Sequence, residues 1–346
     1  MTSAIGTVLL SDALHAAHCR DASDVHLVPG MPPILRVDGR LETWRGKGLG
    51  AEDLRVLAER YFNEQEREQL SRCGDVTTTS LERETPMRVH AARISEGIAL
   101  TLRFLSRSVP TVEGLELPAI VNDIIRRPSG LVVLGGPTGS GKSTTLAALV
   151  MTLNRDMAKK IITVEDPIEY KIESQRSLIV QRQVGREVET FAHAVIGALR
   201  SDPDVIVIGE IRDPATVAAA ITAAETGHLV LATLHTGDAP QSIDRLVDAF
   251  PAERAEYVRG RIAHVLLCAI SQRLVPRADG SGRRLVAEVL VVNDAVRHMI
   301  RDGKHHQLPS VMATGKRFGM QTLEAHLTEL VAAGAVDATA AEATLR

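Results

Sequence analysis

Residues Gly136 to Ser143 read Gly-Pro-Thr-Gly-Ser-Gly-Lys-Ser, a complete G-x-x-x-x-G-K-[ST] phosphate loop. The apolar run Leu131-Val132-Val133-Leu134 precedes it and Thr144-Thr145-Leu146-Ala147-Ala148-Leu149 follows, so the loop lies between a buried strand and a helix start. Glycines at 136, 139 and 141 let the backbone bend until successive N–H groups point inward, at the positive end of that helix. A phosphate chain fits such a concavity. Lys142 adds a cation that reaches the β- and γ-phosphates, and the Ser143 hydroxyl is placed to ligate a bridging Mg²⁺. The expected nucleotide contacts run from Gly136 through Pro137, Thr138, Gly139, Ser140, Gly141, Lys142 and Ser143 to Thr144.

The chain has 346 residues, more than one hydrophobic core usually serves, which predicts two domains. Aromatic residues make up only 3% and the formal charge is -3, so a basic groove of stacked aromatics that tracks nucleic acid lacks raw material. No nucleic-acid partner is expected. Cys19, Cys73 and Cys268 lie far apart without C-x-x-C spacing, which argues against zinc and against a disulfide framework, and for a reducing compartment. No signal-peptide pattern opens the chain and no apolar run is long enough to span a bilayer. The expectation is a cytoplasmic protein, with peripheral attachment to the inner face of the cytoplasmic membrane left open.

Residues 1–105 read as a small α+β domain. Val25 to Val28, Pro33 to Val37, Met87 to Ala91 and Ile98 to Phe104 have strand character, Asp38-Gly39 is a turn signal before Arg40-Leu41, and Leu54, Leu57, Tyr61 and Phe62 recur at helical spacing. Residues 106–118 read as an interdomain linker, about which the two domains would move as bodies. From 119 to 283 the apolar runs 131–134, 161–164, 205–208 and 229–231 alternate with helix-like stretches, the pattern of parallel strands buried on both faces. The remainder, 284–346, reads as mainly helical, with Val292, Val296, Met299 and Ile300 on one face.

Three further segments carry chemistry at strand ends. Thr163-Val164-Glu165-Asp166-Pro167-Ile168-Glu169-Tyr170 crowds three carboxylates into one loop, where one of them is available to polarise an attacking water. Val205-Ile206-Val207-Ile208-Gly209-Glu210-Ile211-Arg212-Asp213 has Walker B character, with Glu210 acting on Mg²⁺ through a water. Thr226-Gly227-His228 and Thr233-Leu234-His235-Thr236 place histidines at either end of a strand. By proximity alone either Glu165 or Glu210 qualifies as the group that activates water. Phosphoryl transfer also needs positive partners, and Arg103, Arg182, Arg186 and Arg212 are the candidates.

Taken together, the phosphate loop, acidic box, Gly-Glu strand end and histidine box resemble the bacterial secretion ATPase superfamily, and within it the type IV pilus retraction ATPases. The resemblance runs nearly end to end and includes Ala22-Ser23-Asp24-Val25-His26-Leu27, Ala223-Ala224-Glu225-Thr226-Gly227-His228 and Ile243-Asp244-Arg245-Leu246-Val247-Asp248. A late retraction signature is varied here: Ala295-Val296-Arg297-His298-Met299-Ile300-Arg301-Asp302 has Val296, His298, Met299 and Asp302 where the family has Ile, Asn, Leu and Glu. The resemblance implies an α/β chain with a PAS-like N-terminal domain, a RecA-like P-loop ATPase domain and a homo-hexameric ring using ATP and Mg²⁺. It gives Glu165 the water-activating role, Glu210 the Mg²⁺-water role, and His228 with His235 a part in sensing nucleotide state. Its implied partners are an inner-membrane pilus platform protein and a paralogous retraction ATPase. Pilus assembly, type II export, an accessory retraction role, nucleic-acid translocation and nucleotide binding without turnover are the competing readings.

Overall fold

The computed structural model describes residues 4–20, 22–37, 40–44, 47–82, 85–105, 109–280 and 282–345. The Asp38-Gly39 turn and residues 106–108 of the linker lie outside them. Two compact units emerge: Met1–Ser108 with Pro167–Lys171 and Gly185–Glu187, and Val109–Asp166 with Ile172–Val184 and Val188–Arg346. No helix among the described residues is long and apolar enough to cross a membrane.

The N-terminal unit is built on an antiparallel sheet of β1 (Asp24–Leu27), β2 (Ile34–Val37), β3 (Arg40–Thr43), β4 (Asp75–Glu82), β5 (Thr85–Ile94) and β6 (Gly97–Phe104), in the order β3-β2-β1-β6-β5-β4. Register sets Val25 and Val89 on either side of Leu102, so alternation puts one buried stripe across three strands. The helix Ala51–Tyr61 adds Leu54, Leu57 and Tyr61 to that core, as its spacing predicts. Sequence periodicity missed β4 and the helix Glu64–Cys73. In β4 the buried positions alternate Val76 with Thr78, so the apolar signal is half absent. The helix is fixed by its start: Asn63 and Glu66 form a reciprocal capping box.

The C-terminal unit holds a seven-stranded sheet: β7 (Gly130–Gly135), β8 (Lys160–Glu165), β9 (Leu178–Gln183), β10 (Val205–Ile208), β11 (Leu229–Thr233), β12 (Leu266–Pro276) and β13 (Arg283–Val291). Its order is β13-β12-β7-β11-β10-β8-β9, parallel except for the β12–β13 hairpin. All residues of β7, β10 and β11 are buried, as both-face burial in a doubly wound sheet demands.

One expectation is corrected. Residues 284–291 are strand, and the helices begin at Asp294. Leu285-Val286-Ala287 and Val289-Leu290-Val291 form a short apolar run that fits a buried helix as well as a strand. The β-branched valines and pairing with the 11-residue β12 decide for the sheet.

Candidate nucleotide site

Because β7, β8, β10 and β11 run parallel, their carboxyl ends share one edge of the sheet, and the segments carrying the sequence motifs leave from there. After β7 the chain reaches Gly136 at φ +149°, where an added Cβ would overlap Ser140 Oγ and come within 2.6 Å of the Gln272 carbonyl oxygen. Gly139 has open space around it but sits at φ +79°, so backbone conformation alone selects glycine there. Pro137, Thr138 and Gly139 are exposed, Ser140 is buried, and the helix Lys142–Asp156 begins directly after the loop.

Lys142 is buried, at 8% exposure, and its Nζ donates to the carbonyls of Gly136 at 2.7 Å and Pro137 at 3.0 Å. The same Nζ lies 3.5 Å from His235 Nδ1. On its other side His235 Nε2 is 3.1 Å from Glu210 Oε1, and Glu210 Oε2 accepts from Arg212 at 2.7 Å. Arg212 also lies 3.6 Å from Asp166. Burial raises the Glu210 pKa, but the Arg212 hydrogen bond and charge, with help from His235, outweigh it and hold the carboxyl below its ordinary value. Glu210 is an anion at neutral pH.

Glu165 ends β8, where its Oε1 accepts from the Thr163 hydroxyl at 2.6 Å and from the Gln181 amide at 3.1 Å, both neutral donors. Ile208 pairs with Val164, which puts Gly209 beside Glu165. A Cβ on Gly209 would stand 3.2 Å from the Glu165 Cα, so glycine allows the two acidic strand ends to approach. Of the three carboxylates in the acidic box, Glu169 belongs to the N-terminal unit and pairs there with Arg88. Glu165 and Asp166 stay with the C-terminal unit.

The structure does not bring His228 to this group. It precedes β11, at the amino end of a five-residue strand that alone spans about 16 Å at ~3.3 Å per residue, with His235 beyond the far end. Its Nδ1–H donates to the Ala223 carbonyl at 3.0 Å, closing the turn between the helix Pro214–Glu225 and the strand. The two histidines share a motif but face opposite edges of the sheet. Among the arginines, Arg212 is at the site. Arg182 lies in β9, paired in register with Val164. Arg103 and Arg186 belong to the N-terminal unit, Arg103 bonded to buried Asp24 at 2.7 Å and Arg186 lying 3.6 Å from Glu187.

Mg²⁺ with a nucleotide fits these residues. The fit rests on a loop that glycine leaves open at 139, an exposed Ser143 hydroxyl at the helix start, and an ionised Glu210 at a neighbouring strand end. Among the described residues there is no group of three or more His, Cys, Asp or Glu side chains that could hold a metal by itself. That donor set suits Mg²⁺, which keeps waters and shares phosphate oxygens, better than an all-protein cage.

Two supports lie under the loop; Ser242 and Gln272 escaped sequence reasoning, and Thr236 entered it only as part of the histidine box. Thr236 Oγ1 and Ser242 Oγ, 2.7 Å apart, occupy the space that a Cβ on Gly135 would need. Gln272, fully buried on β12, donates to the Ser140 carbonyl at 2.7 Å. The available signal was a polar Ser271-Gln272-Arg273 run between the apolar residues of β12.

A parallel sheet with a phosphate loop at one strand end, and acids with a histidine at the neighbouring ends, defines a P-loop nucleotide-binding domain. The chain belongs to the type II/IV secretion system protein family, whose model matches residues 3–281. It is 41% identical over 305 residues to a twitching motility protein of Neisseria gonorrhoeae, covering 88% of this chain and 82% of that one. It is 40% identical over 319 residues to the type IV pilus retractation ATPase PilT of Pseudomonas aeruginosa, covering 91% and 92%. The crystal structure of the pilus retraction motor PilT with bound ADP superposes with a TM-score of 0.88 at 39% identity, covering 96% of each chain.

Proposed function

We propose that this chain is an ATP-hydrolysing motor that powers type IV pilus retraction and twitching motility. One observation carries the reading: near-complete coverage of an ADP-bound retraction motor, at a TM-score of 0.88, by a chain whose own Lys142, His235 and Glu210 form one connected polar group. The motor works as a homo-hexamer at the inner face of the cytoplasmic membrane, against a pilus platform protein and beside a paralogous retraction ATPase.

At the site, Lys142 and the loop N–H groups bind the β- and γ-phosphates, and Ser143 would hold Mg²⁺, with Glu210 reaching it through water. Mg²⁺ when bound neutralises charge on the phosphate oxygens. Glu165 takes the proton of the attacking water. The Thr163 hydroxyl and the Gln181 amide orient its carboxylate at the end of β8, and Glu210 is engaged by Arg212 and His235. Arg212 is the in-subunit cation for the developing γ-phosphate charge, and Arg103, Arg182 and Arg186 are candidates to act across a subunit boundary.

Deletion of the gene tests the direction of work. Surface fibres should accumulate and twitching should stop, whereas a loss of fibres would make the chain an assembly ATPase. The helix Asp294–Arg301 buries Val296 and Ile300, leaving Arg301 exposed and Arg297 half-exposed. Joint substitution of Arg297 and Arg301 by Ala should therefore spare ATP hydrolysis while blocking retraction.

A further inference from the structure

We propose that Gln272 is a positioning residue of the phosphate loop, one that sets the peptide between Ser140 and Gly141 so that the Gly141 N–H faces the nucleotide's phosphates. The inference rests on the nucleotide reading of this site. Gln272 lies on β12, fully buried, and its Nε2–H donates to the Ser140 carbonyl at 2.7 Å. A trans peptide is planar, with its C=O and the following N–H pointing in opposite directions. Drawing the Ser140 oxygen down onto β12 therefore turns the Gly141 N–H away from the sheet, toward the exposed side of the loop. Gly141 is at φ +87° and caps the helix Lys142–Asp156, so this N–H stands at the positive helix end where an anion is favoured.

The same residue acts on the other end of the loop through its backbone. The Gln272 carbonyl oxygen lies 2.6 Å from where a Cβ on residue 136 would be, so the strand presses against the loop at Gly136 and Ser140 together. Gln272 Oε1 and Ser140 Oγ are both buried without a hydrogen-bond partner. A half-satisfied amide is a poor choice at a fully buried position of this strand, where leucine would pack without that penalty. Its presence fits a role in orienting the loop better than a role in holding the sheet together.

The test compares the native chain with Gln272→Met, which keeps the side chain's length and removes the donor. The Kd for ADP, measured by competition against a fluorescent ADP, should rise about tenfold. The KM for ATP should rise in step, while kcat at saturating ATP falls less than about threefold and the melting temperature holds within a few degrees. Native-like ADP affinity in the folded variant overturns the proposal.

Gln272→Glu supplies the second measurement should the Met variant not fold. A buried carboxyl donates to the Ser140 carbonyl only when protonated, and burial raises its pKa, so the ADP affinity of this variant, taken as a ratio to the native chain at the same pH, should approach native at pH 6 and fall as the pH is raised to about 9.5. A ratio that does not change between pH 6 and 9.5 overturns it. The native chain's own ADP binding is the reference: failure there overturns the nucleotide reading itself, and the inference with it.

Discussion

His235 Nε2 lies 3.1 Å from Glu210 Oε1, and the direction of that hydrogen bond is fixed from the far side of the ring. Lys142 Nζ, 3.5 Å from Nδ1, has only protons to give, so Nδ1 accepts and Nε2 carries the hydrogen that Glu210 receives. The imidazole thus joins the phosphate-loop lysine to the carboxylate at the neighbouring strand end. Any ligand that draws Lys142 off the Gly136 and Pro137 carbonyls alters what His235 offers Glu210.

That bridge predicts a turnover defect. His235→Ala should lower kcat about 10- to 100-fold, the range of one well-placed polar group, with the KM for ATP changed less than about threefold. Steady-state kinetics decide it. A raised KM at unchanged kcat would make His235 a ground-state binding residue instead.

Lys142→Ala removes a buried cation whose partners are loop carbonyls. The loop keeps its glycine turns and the Gln272 contact to Ser140, so the fold should survive, while kcat/KM falls by about 10³-fold or more, as for loss of a principal phosphate contact. Circular dichroism confirms folding and a phosphate-release assay reads activity. Residual hydrolysis within tenfold of native would sink the assignment.

Glu165→Gln and Glu210→Gln should separate two roles that proximity alone left joined. The first keeps ATP affinity within about threefold and lowers kcat by about 10²- to 10⁴-fold, since the proton acceptor is lost and the shape kept. The second should raise the Mg²⁺ concentration needed for half-maximal rate. Full turnover by Glu165→Gln would move the proton-accepting role to Glu210.

Thiol chemistry tests burial independently of the site. Cys268 is buried in β12 and burial pushes its thiol up to about 12, whereas Cys19 and Cys73 are exposed. Only a thiolate attacks an aromatic disulfide reagent at appreciable rate. Cys19 and Cys73 should react in the native protein at pH 8, with Cys268 joining them only after denaturation. Rapid native labelling of Cys268, located by peptide mapping, would contradict the buried sheet.

Much of the candidate site was legible because each of its segments leaves the end of an apolar run. Gly136 to Ser143, Glu165 and Glu210 all follow apolar runs, and a parallel sheet collects such ends at one edge. What sequence could not supply was position across the sheet. His228 and His235 flank one short strand and look like a pair, yet strand geometry sends them to opposite edges. Gln272 lies 132 residues from Ser140 in the chain and meets it only because β12 pairs with β7. Periodicity likewise lost β13, whose valine-rich run has no helical or alternating phase to read.

Acid should weaken the fold through Glu210, and the sign follows from its surroundings. Burial alone would raise its pKa; the Arg212 hydrogen bond and charge, with His235, more than reverse that and leave it below the ordinary 4.5. A carboxyl depressed on folding contributes stability that is fully present above about 4.5 and is lost as the pH falls through the folded value. Native protein should therefore melt higher than Glu210→Gln at pH 7, with the gap closing as pH drops below about 4.5. Arg212 is more than half exposed, so added salt should narrow the pH 7 gap as well. Melting curves at pH 7, 5, 4 and 3.5, each at low and high salt, supply the measurement. A gap that stays constant from pH 7 to 3.5 would mean that the Glu210–Arg212 pair does not stabilise the folded chain, and that its carboxylate is held ready for the metal site instead.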